Sequence, residues 1–129
     1  MDIDPLSTEI IGLAIKVQRT LGPGLLESAY RTCLAHELRM AGHKVEEEKP
    51  LEIRYQGLVL PQAYRLDVVV DDTLILEINT VEKPLKVHEA QLFTYLRFNE
   101  KSIGLLLNFW SWPLKEGGIK RIVRSPQTQ

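Results

Sequence analysis

The chain has 129 residues, of which 44% are hydrophobic and 26% charged, and its formal net charge at pH 7 is −1. This length fits one domain, and the apolar content is too high for a disordered chain. The near-zero charge argues against a protein that coats nucleic acid. Any nucleic-acid contact would therefore depend on local basic patches. Candidates are Lys83, Lys86, Lys115, Lys120, Arg121 and Arg124.

The cysteine content and the N-terminal sequence bear on the cellular compartment of the protein. A single cysteine, Cys33, excludes an internal disulfide and fits a reducing compartment. The N-terminal residues are acidic and polar, unlike a signal peptide, and no apolar run approaches the ~18 residues that a membrane span needs. We therefore expect a cytoplasmic protein without membrane contact, with residues 1–129 forming one domain and residues 125–129 a flexible tail.

Two helices are predicted first. One runs from Pro5 to Leu21, with Asp4 as its cap, and the other from Leu25 to Ala41. The apolar stripe of the second helix comprises Tyr30, Leu34, Leu38 and Ala41. Glu27 lies at the head of this stripe. Its carboxylate should therefore face the core side, near the positive end of the helix dipole.

Strands follow, interrupted by one more helix. A strand is predicted within Lys44–Tyr55, followed by a turn at Gln56-Gly57 and a short returning strand, Leu58–Leu60. A hairpin of Tyr64–Val70 with Leu74–Asn79 comes next, and then a helix after Pro84 to about Phe98. The last elements are a buried strand, Ile103–Phe109, and an edge strand, Ile119–Val123. This order predicts the α/β class, as an α+β mixed sheet with helices on its faces.

The hairpin carries the most informative residues. A loop of Asp71, Asp72 and Thr73 would pair Val70 with Leu74 and Val69 with Ile75, and it would place Asp67 opposite Glu77. The two carboxylates would then have Cβ atoms about 4.5–5.5 Å apart, with Asn79 on the same face. The other face would be wholly apolar, formed by Leu66, Val68, Val70, Leu74, Leu76 and Ile78.

Two opposed carboxylates on a buried hairpin repel each other and need compensation. A shared proton, the side chain of Arg65 or a divalent cation could supply it, and oxygen ligands of this kind suit Mg²⁺ or Mn²⁺. The alternative is an exposed acidic edge with Arg65 as its counterion. Glu27 could supply a third carboxylate to the same face.

The third helix and the following strand end add polar and aromatic candidates. His88, Gln91 and Tyr95 form a polar ridge along one edge of the apolar stripe, and Gln91 and Tyr95 could hydrogen-bond a phosphate or a metal-bound water. For Trp110 and Trp112 we expect packing rather than base stacking.

Several segments together resemble one family. LGPGLLESAY contains the GxxExxY signature, and YRLDVVVDD, LILEIN, VHEAQLFTYL and GLLLNF follow in order. From about Glu9 to Val123 the chain resembles the GxxExxY protein family, a branch of the PD-(D/E)XK nuclease superfamily. Gln91 and Tyr95 are similar to the Gln-x-x-x-Tyr element of its RecB-like members.

The resemblance implies a restriction-endonuclease-like core, a central mixed sheet flanked by helices, and a metal-dependent nuclease site. Asp67 and Glu77 would bind Mg²⁺ or Mn²⁺, together with the backbone carbonyl of Ile78, and Glu27 would bind the metal directly or through water. The reaction would be hydrolysis of DNA or RNA phosphodiesters by a metal-activated water. A homodimer is expected by analogy, because a small nuclease often needs a second copy to cut both strands.

One position departs from the motif. The family pattern has Glu-x-Lys, whereas this chain has Glu77-Ile78-Asn79. Asparagine can hold a water but carries no charge, and losing one such group commonly costs a factor of ~10²–10³ in rate. Lys83 or Lys86 could replace the lysine in space.

Three hypotheses remain open from the sequence. The first is a slow Mg²⁺- or Mn²⁺-dependent nuclease. The second is an inactive nuclease homologue that binds nucleic acid or a protein. The third is a carbohydrate or small-molecule enzyme with paired carboxylates, which ranks last because no aromatic sugar platform accompanies them.

Overall fold

The described residues form five strands and three helices. The structure is a computed structural model, and it describes residues 4–83 and 86–125. In chain order the elements are α1 (Pro5–Leu21), α2 (Glu27–Met40), β1 (Val45–Tyr55), β2 (Leu58–Val70), β3 (Leu74–Asn79), α3 (Lys86–Phe98), β4 (Ile103–Asn108) and β5 (Ile119–Val123). The predicted elements are present. The two segments expected as separate strands before the turn at Asp71 form the single strand β2.

The five strands form one mixed sheet in the order β1-β2-β3-β4-β5. Only β3 and β4 run parallel, because α3 crosses over between them, and the other neighbours are antiparallel. The parallel direction brings the ends of β3 and β4 together. Both strands end at the same edge of the sheet, where Asn79 lies beside Asn108.

Two apolar layers cover the two faces of this sheet. Helices α1 and α2 pack on one face, through a cluster that includes Ile10, Ala14, Tyr30, Leu34, Val68, Leu76 and Leu107. Helix α3 packs on the other face, through a cluster that includes Leu92, Tyr95, Leu96, Val69, Ile75 and Leu106. Gly104 allows the close approach of α3, since a Cβ there would lie 2.9 Å from the side chain of Leu92. The molecule therefore has three layers, with the sheet in the middle.

The sequence caps α1 as predicted. Asp4 accepts a hydrogen bond from the backbone N–H of Ser7 at 2.8 Å, and Pro5 occupies the first helical position. Helix α2 begins at Glu27, and its stripe is buried at Tyr30, Leu34 and Leu38. Ala41, predicted to extend that stripe, is exposed because the helix ends at Met40.

One prediction about the hairpin faces was wrong. Leu66 was expected on the same face as Val68, but it packs with Val69 in the α3 cluster. The alternation of side chains breaks at Asp67. Opposite it on β1, Glu48 has a positive φ of 50°, and the pairing of β1 with β2 skips both residues. This irregularity re-aims the side chains on either side of Asp67.

Two remaining predictions concern the termini and the membrane. In the part of the chain that the structure describes, no helix combines the length and the apolar character needed to cross a bilayer. Residues 126–129 of the predicted tail, together with Pro84 and Leu85 before α3, lie outside the described residues.

Candidate nuclease site

The candidate site lies where β2 and β3 separate. Their pairing runs from the turn through Val69–Ile75, as predicted, and ends at Val68–Leu76. Asp67 is the next residue on β2. Instead of standing in a continued ladder opposite Glu77, its Oδ2 accepts a hydrogen bond from the backbone N–H of Ile78 at 2.8 Å. The carboxylate of Asp67 is thereby fixed beside the strand that carries Glu77.

Glu77 is the least compensated acid of this site. Its Oε1 is buried, and it has no hydrogen-bond partner among the described residues. Burial, together with the nearby charges of Asp67 and Glu27, raises the pKa of Glu77 from 4.5 to about 8. The exposed acidic edge considered from the sequence is therefore wrong, because Glu77 is largely withdrawn from water. Arg65 does not supply that cation, since it is exposed and pairs with Glu48 at 3.4 Å.

The pKa values of Asp67 and Glu27 are raised as well. Burial raises the pKa of Asp67 above its ordinary value, although the hydrogen bond from Ile78 opposes the shift. Burial and the charge of Asp67 raise the pKa of Glu27, which is the first residue of α2. The charge of Asp67 thus disfavours the charged forms of Glu27 and Glu77, and the charge of Glu27 also disfavours that of Glu77.

These acids do not form a closed metal-ligand cluster. Within residues 4–83 and 86–125, no three His, Cys, Asp or Glu side chains are grouped closely enough to hold a metal ion. The convergence of all three acids, expected from the sequence, is therefore not seen.

A cation that the sequence did not suggest lies near the acids. Arg31, one helical turn after Glu27, lowers the pKa of both Glu27 and Asp67 by its charge. Its guanidinium is 3.5 Å from carboxylate oxygens of Glu47 and Glu48 on β1. Lys83 and Lys86, proposed as replacements for the motif lysine, are both exposed. The charge of Arg31 acts on two of the three acids, Glu27 and Asp67.

Asn79 occupies the motif lysine position in a buried setting. It is 7% exposed, and its Nδ2 has no hydrogen-bond partner in the described chain. Two unsatisfied groups of opposite character therefore lie two residues apart on β3, a carboxylate oxygen of Glu77 and an amide N–H group of Asn79. Buried polar groups normally find a partner, so both are suited to a bound water, ion or substrate.

Helix α3 contributes Tyr95 and Gln91. Tyr95 is 4% exposed and packs against Tyr64 with ring centroids 5.3 Å apart. Burial, followed by the charge of Glu77, raises the pKa of the Tyr95 hydroxyl, so it stays protonated and can donate a hydrogen bond. Gln91 is partly buried one helical turn earlier. The predicted polar ridge therefore has Tyr95 within electrostatic reach of the acids.

Sequence reasoning missed two buried amides that organise the edge of the site. Asn108 donates to the carbonyl of Val81 at 2.8 Å and accepts from the backbone N–H groups of Val81 and Trp110. Gln18 on α1 holds the loop that follows β4, through hydrogen bonds to the backbone of Phe109, Ser111 and Leu114. A polar residue within the apolar pattern of a helix or strand was the signal available for each.

These observations define the class of protein. A five-stranded mixed sheet flanked by three helices, with acids where the central hairpin opens, is consistent with a restriction-endonuclease-like fold. The family model of the PD-(D/E)XK nuclease superfamily matches residues 4–122, so the chain belongs to that superfamily and is nuclease-like. No curated protein and no solved structure gives a significant match.

Nucleases of this superfamily generally use divalent metals. The described acids are not grouped as a metal site, but the chemistry of their donor atoms suits such an ion. The available donors are carboxylate oxygens, which suit hard cations such as Mg²⁺ and Mn²⁺. The unpartnered Oε1 of Glu77 is the atom that a cation would satisfy first. Asp67 beside it would be the second ligand, and Glu27 would act from the helix.

Proposed function

We propose that this chain is a divalent-metal-dependent nuclease of low intrinsic rate, of the GxxExxY branch, which hydrolyses phosphodiesters of DNA or RNA. The proposal depends on the buried, unpartnered Oε1 of Glu77 beside the fixed carboxylate of Asp67. A buried carboxylate with a pKa of about 8 is costly unless a proton or a cation compensates it. A bound divalent cation would supply that compensation at Glu77.

Each residue has a separate task in this proposal. Asp67 and Glu77, with the carbonyl of Ile78, would hold Mg²⁺ or Mn²⁺, and Glu27 would bind it directly or through water. When bound, the metal lowers the pKa of a water and offsets charge on the phosphate. Tyr95 and Gln91 would donate hydrogen bonds to the phosphate or to a bound water.

Asn79 accounts for the low rate. Its amide can orient a water, since Nδ2 is free of other partners in the described chain. It supplies no positive charge, however, and Arg31 is shared with Glu47 and Glu48. The transition state therefore lacks a cation that a lysine would place there.

The test is cleavage of labelled single-stranded and duplex DNA and RNA in Mg²⁺ or Mn²⁺ at high protein concentration. We expect slow hydrolysis that EDTA stops and that Asp67→Asn abolishes. Asp72→Asn is the matched control, because Asp72 lies exposed in the β2–β3 turn and pairs with Lys44. Cleavage that survives in Asp67→Asn would refute the proposed role of Asp67.

A second candidate function is favoured by one observation, the loss of charge at Asn79. It is an inactive homologue that binds nucleic acid or a protein through the same surface. Binding to nucleic acid without cleavage by the wild type, in either metal, would select it. The homodimer and the cytoplasmic location stay predictions, and light scattering at several protein concentrations checks the former.

A further inference from the structure

The loop between β4 and β5 displays both tryptophans of the chain. Packing rather than base stacking was expected for Trp110 and Trp112, and the two side chains are 53% and 52% exposed, so neither lies in the core. Each half-exposed indole ring is partly accessible to a ligand and partly covered by the protein. Side chains of this kind stack on the bases of single-stranded nucleic acid.

The loop is held rigidly against the rest of the molecule. Gln18, 1% exposed, donates to the carbonyls of Phe109 and Ser111 at 3.1 and 2.6 Å. It also accepts from the backbone N–H of Leu114 at 2.7 Å. Since one buried side chain binds the loop at three points, the two indoles are presented at low entropic cost to a ligand.

A cavity beside Trp110 is lined by sequence neighbours of Glu27 and Asn79. It measures about 160 Å³ and is lined by Gly24, Leu25, Tyr30, Thr80, Phe109 and Trp110. Thr80 follows Asn79 directly, and Leu25 precedes Glu27 by two residues. The N–H of Phe109 donates to the carbonyl of Asn79 at 2.8 Å. An aromatic-walled cavity thus adjoins residues assigned to phosphodiester chemistry.

A second cavity, beside Trp112, is flanked by positive charge. It measures about 330 Å³, and its lining includes Arg19, Trp112, Pro113 and Lys115. Arg19 and Lys115 have no ion-pair partner among residues 4–83 and 86–125, so they are available to phosphates. Three of the basic residues proposed from the sequence already bind other groups of the protein. Lys120 pairs with Glu89, Arg121 pairs with Asp4 and Arg124 donates to the carbonyl of Lys101.

From this geometry we propose that loop 109–115 is a binding platform for single-stranded nucleic acid. Trp110 stacks one unpaired base at the cavity next to the acids. Trp112 stacks a second base, while Arg19 and Lys115 contact the intervening phosphates. Base stacking is open to every base, so the platform selects strandedness rather than sequence. Its use as a substrate subsite rests on the proposed nuclease function, whereas the binding itself does not.

The test measures tryptophan emission of the wild-type protein in EDTA during titration with oligodeoxythymidine, oligouridine, a hairpin duplex and an abasic strand. Because both tryptophans lie in the loop, the emission reports on this surface alone. We expect quenching and tighter binding with the two single strands, and little quenching with the duplex or the abasic strand. Preferential binding of the duplex, or binding without quenching, would overturn the proposal.

Variants separate the platform from general surface effects. Trp110→Ala and Trp112→Ala should each weaken binding of a labelled single strand about fivefold or more, as measured by anisotropy. Tyr55→Ala is the matched control, because Tyr55 is 62% exposed at the distant β1–β2 turn. Equal weakening in all three variants would contradict the proposal.

The two proposals fail in different ways. Unchanged single-strand affinity in both tryptophan variants, combined with cleavage that depends on Asp67, would remove the platform and leave the nuclease. Affinity that depends on the tryptophans without any cleavage would keep the platform and remove the nuclease. Arg19→Gln and Lys115→Gln should each reduce the salt dependence of binding, whereas Arg54→Gln, an exposed change on β1, should not.

Discussion

Glu77 is a carboxylate whose ionisation opposes folding. Its buried Oε1 lacks a hydrogen-bond partner among the described residues, and in the folded protein the pKa of this carboxyl group is about 8. The unfolded chain releases the same proton near pH 4.5. Because the native state binds the proton more tightly, stability falls as pH rises from about 4.5 to about 8. Glu27 and Asp67, whose pKa values are also raised, add to this trend.

We therefore expect Glu77→Gln to stabilise the metal-free protein at alkaline pH. The gain over wild type should be small near pH 4.5 and should grow toward pH 8, at about 1.4 kcal/mol for each pKa unit as an upper bound. Urea denaturation at pH 5 and pH 8.5 measures it. Glu82→Gln, at an exposed glutamate, serves as the control. A gain that does not change between the two pH values would show that Glu77 does not carry the effect.

Asn79 is the residue that separates slow catalysis from binding. Its unpartnered Nδ2 lies on β3 two residues beyond Glu77, at the position of the motif lysine. Asn79→Lys should raise the rate of Mn²⁺-dependent cleavage by about 10²–10³, since one preorganised cation is restored. Single-turnover kinetics on a strand that the wild type cuts slowly measures this change. A folded variant with no gain would mean that Asn79 is not the cause of the low rate.

At the scale of elements, local patterns predicted most of the fold. Asp4 and Pro5 placed the start of α1, and the turn at Asp71 set the register of the β2–β3 hairpin. The order of the elements also placed α3 between the strands that form β3 and β4, and the structure shows these two strands to be parallel. These features depend on capping, periodicity and turn chemistry, which neighbouring residues determine.

Features that depend on distant contacts were not predicted. The break in alternation at Asp67 arises opposite Glu48, which lies on another strand. The attachment of Gln18 to the loop after β4 spans more than 90 residues. Likewise, Arg31 reaches the acids only once α2 packs beside β1 and β2. The sequence identified the acids of the candidate site, but not the cation or the loop anchors around them.

A histidine clamp joins three elements at the end of the sheet that carries the β2–β3 turn. Nδ1 of His43 is 2.6 Å from Asp71 in that turn, and Nε2 is 2.7 Å from Glu9 on α1. Only the protonated imidazole can donate both hydrogen bonds. The hydrogen bonds to Asp71 and then Glu9 raise the pKa of His43 above 6.5. The clamp is therefore complete at mildly acidic pH.

The sign of the pH dependence follows from that raised pKa. The stabilisation by His43 is fully present below pH 6.5 and is lost as pH rises through the folded-state pKa. His43→Gln should therefore cost about 1 kcal/mol at pH 6 and less at pH 9. Thermal denaturation at both pH values measures the difference, with the exposed His36→Gln as control. A cost that is equal at pH 6 and pH 9 would mean that packing, not charge, explains the role of His43.

At the scale of the whole molecule, the acids that interact electrostatically come from separate layers. Glu27 comes from the helical layer of α1 and α2, and Asp67 and Glu77 come from the two central strands. Only the native arrangement places these groups near one another. A cation that binds them therefore binds the folded state and not the unfolded chain, and it must stabilise the fold by mass action.

Mn²⁺ should accordingly raise the melting temperature. At a concentration 100 times the dissociation constant, the free energy of unfolding should increase by about 2.7 kcal/mol. The metal competes with the proton that Glu77 holds up to a pKa of about 8, so the increase should be larger at pH 8.5 than at pH 6. Asp67→Asn should remove the increase, and Asp72→Asn should preserve it, because Asp72 lies in the exposed turn. An equal rise in both variants would place the bound metal away from Asp67, and the nuclease proposal would then lose its metal site.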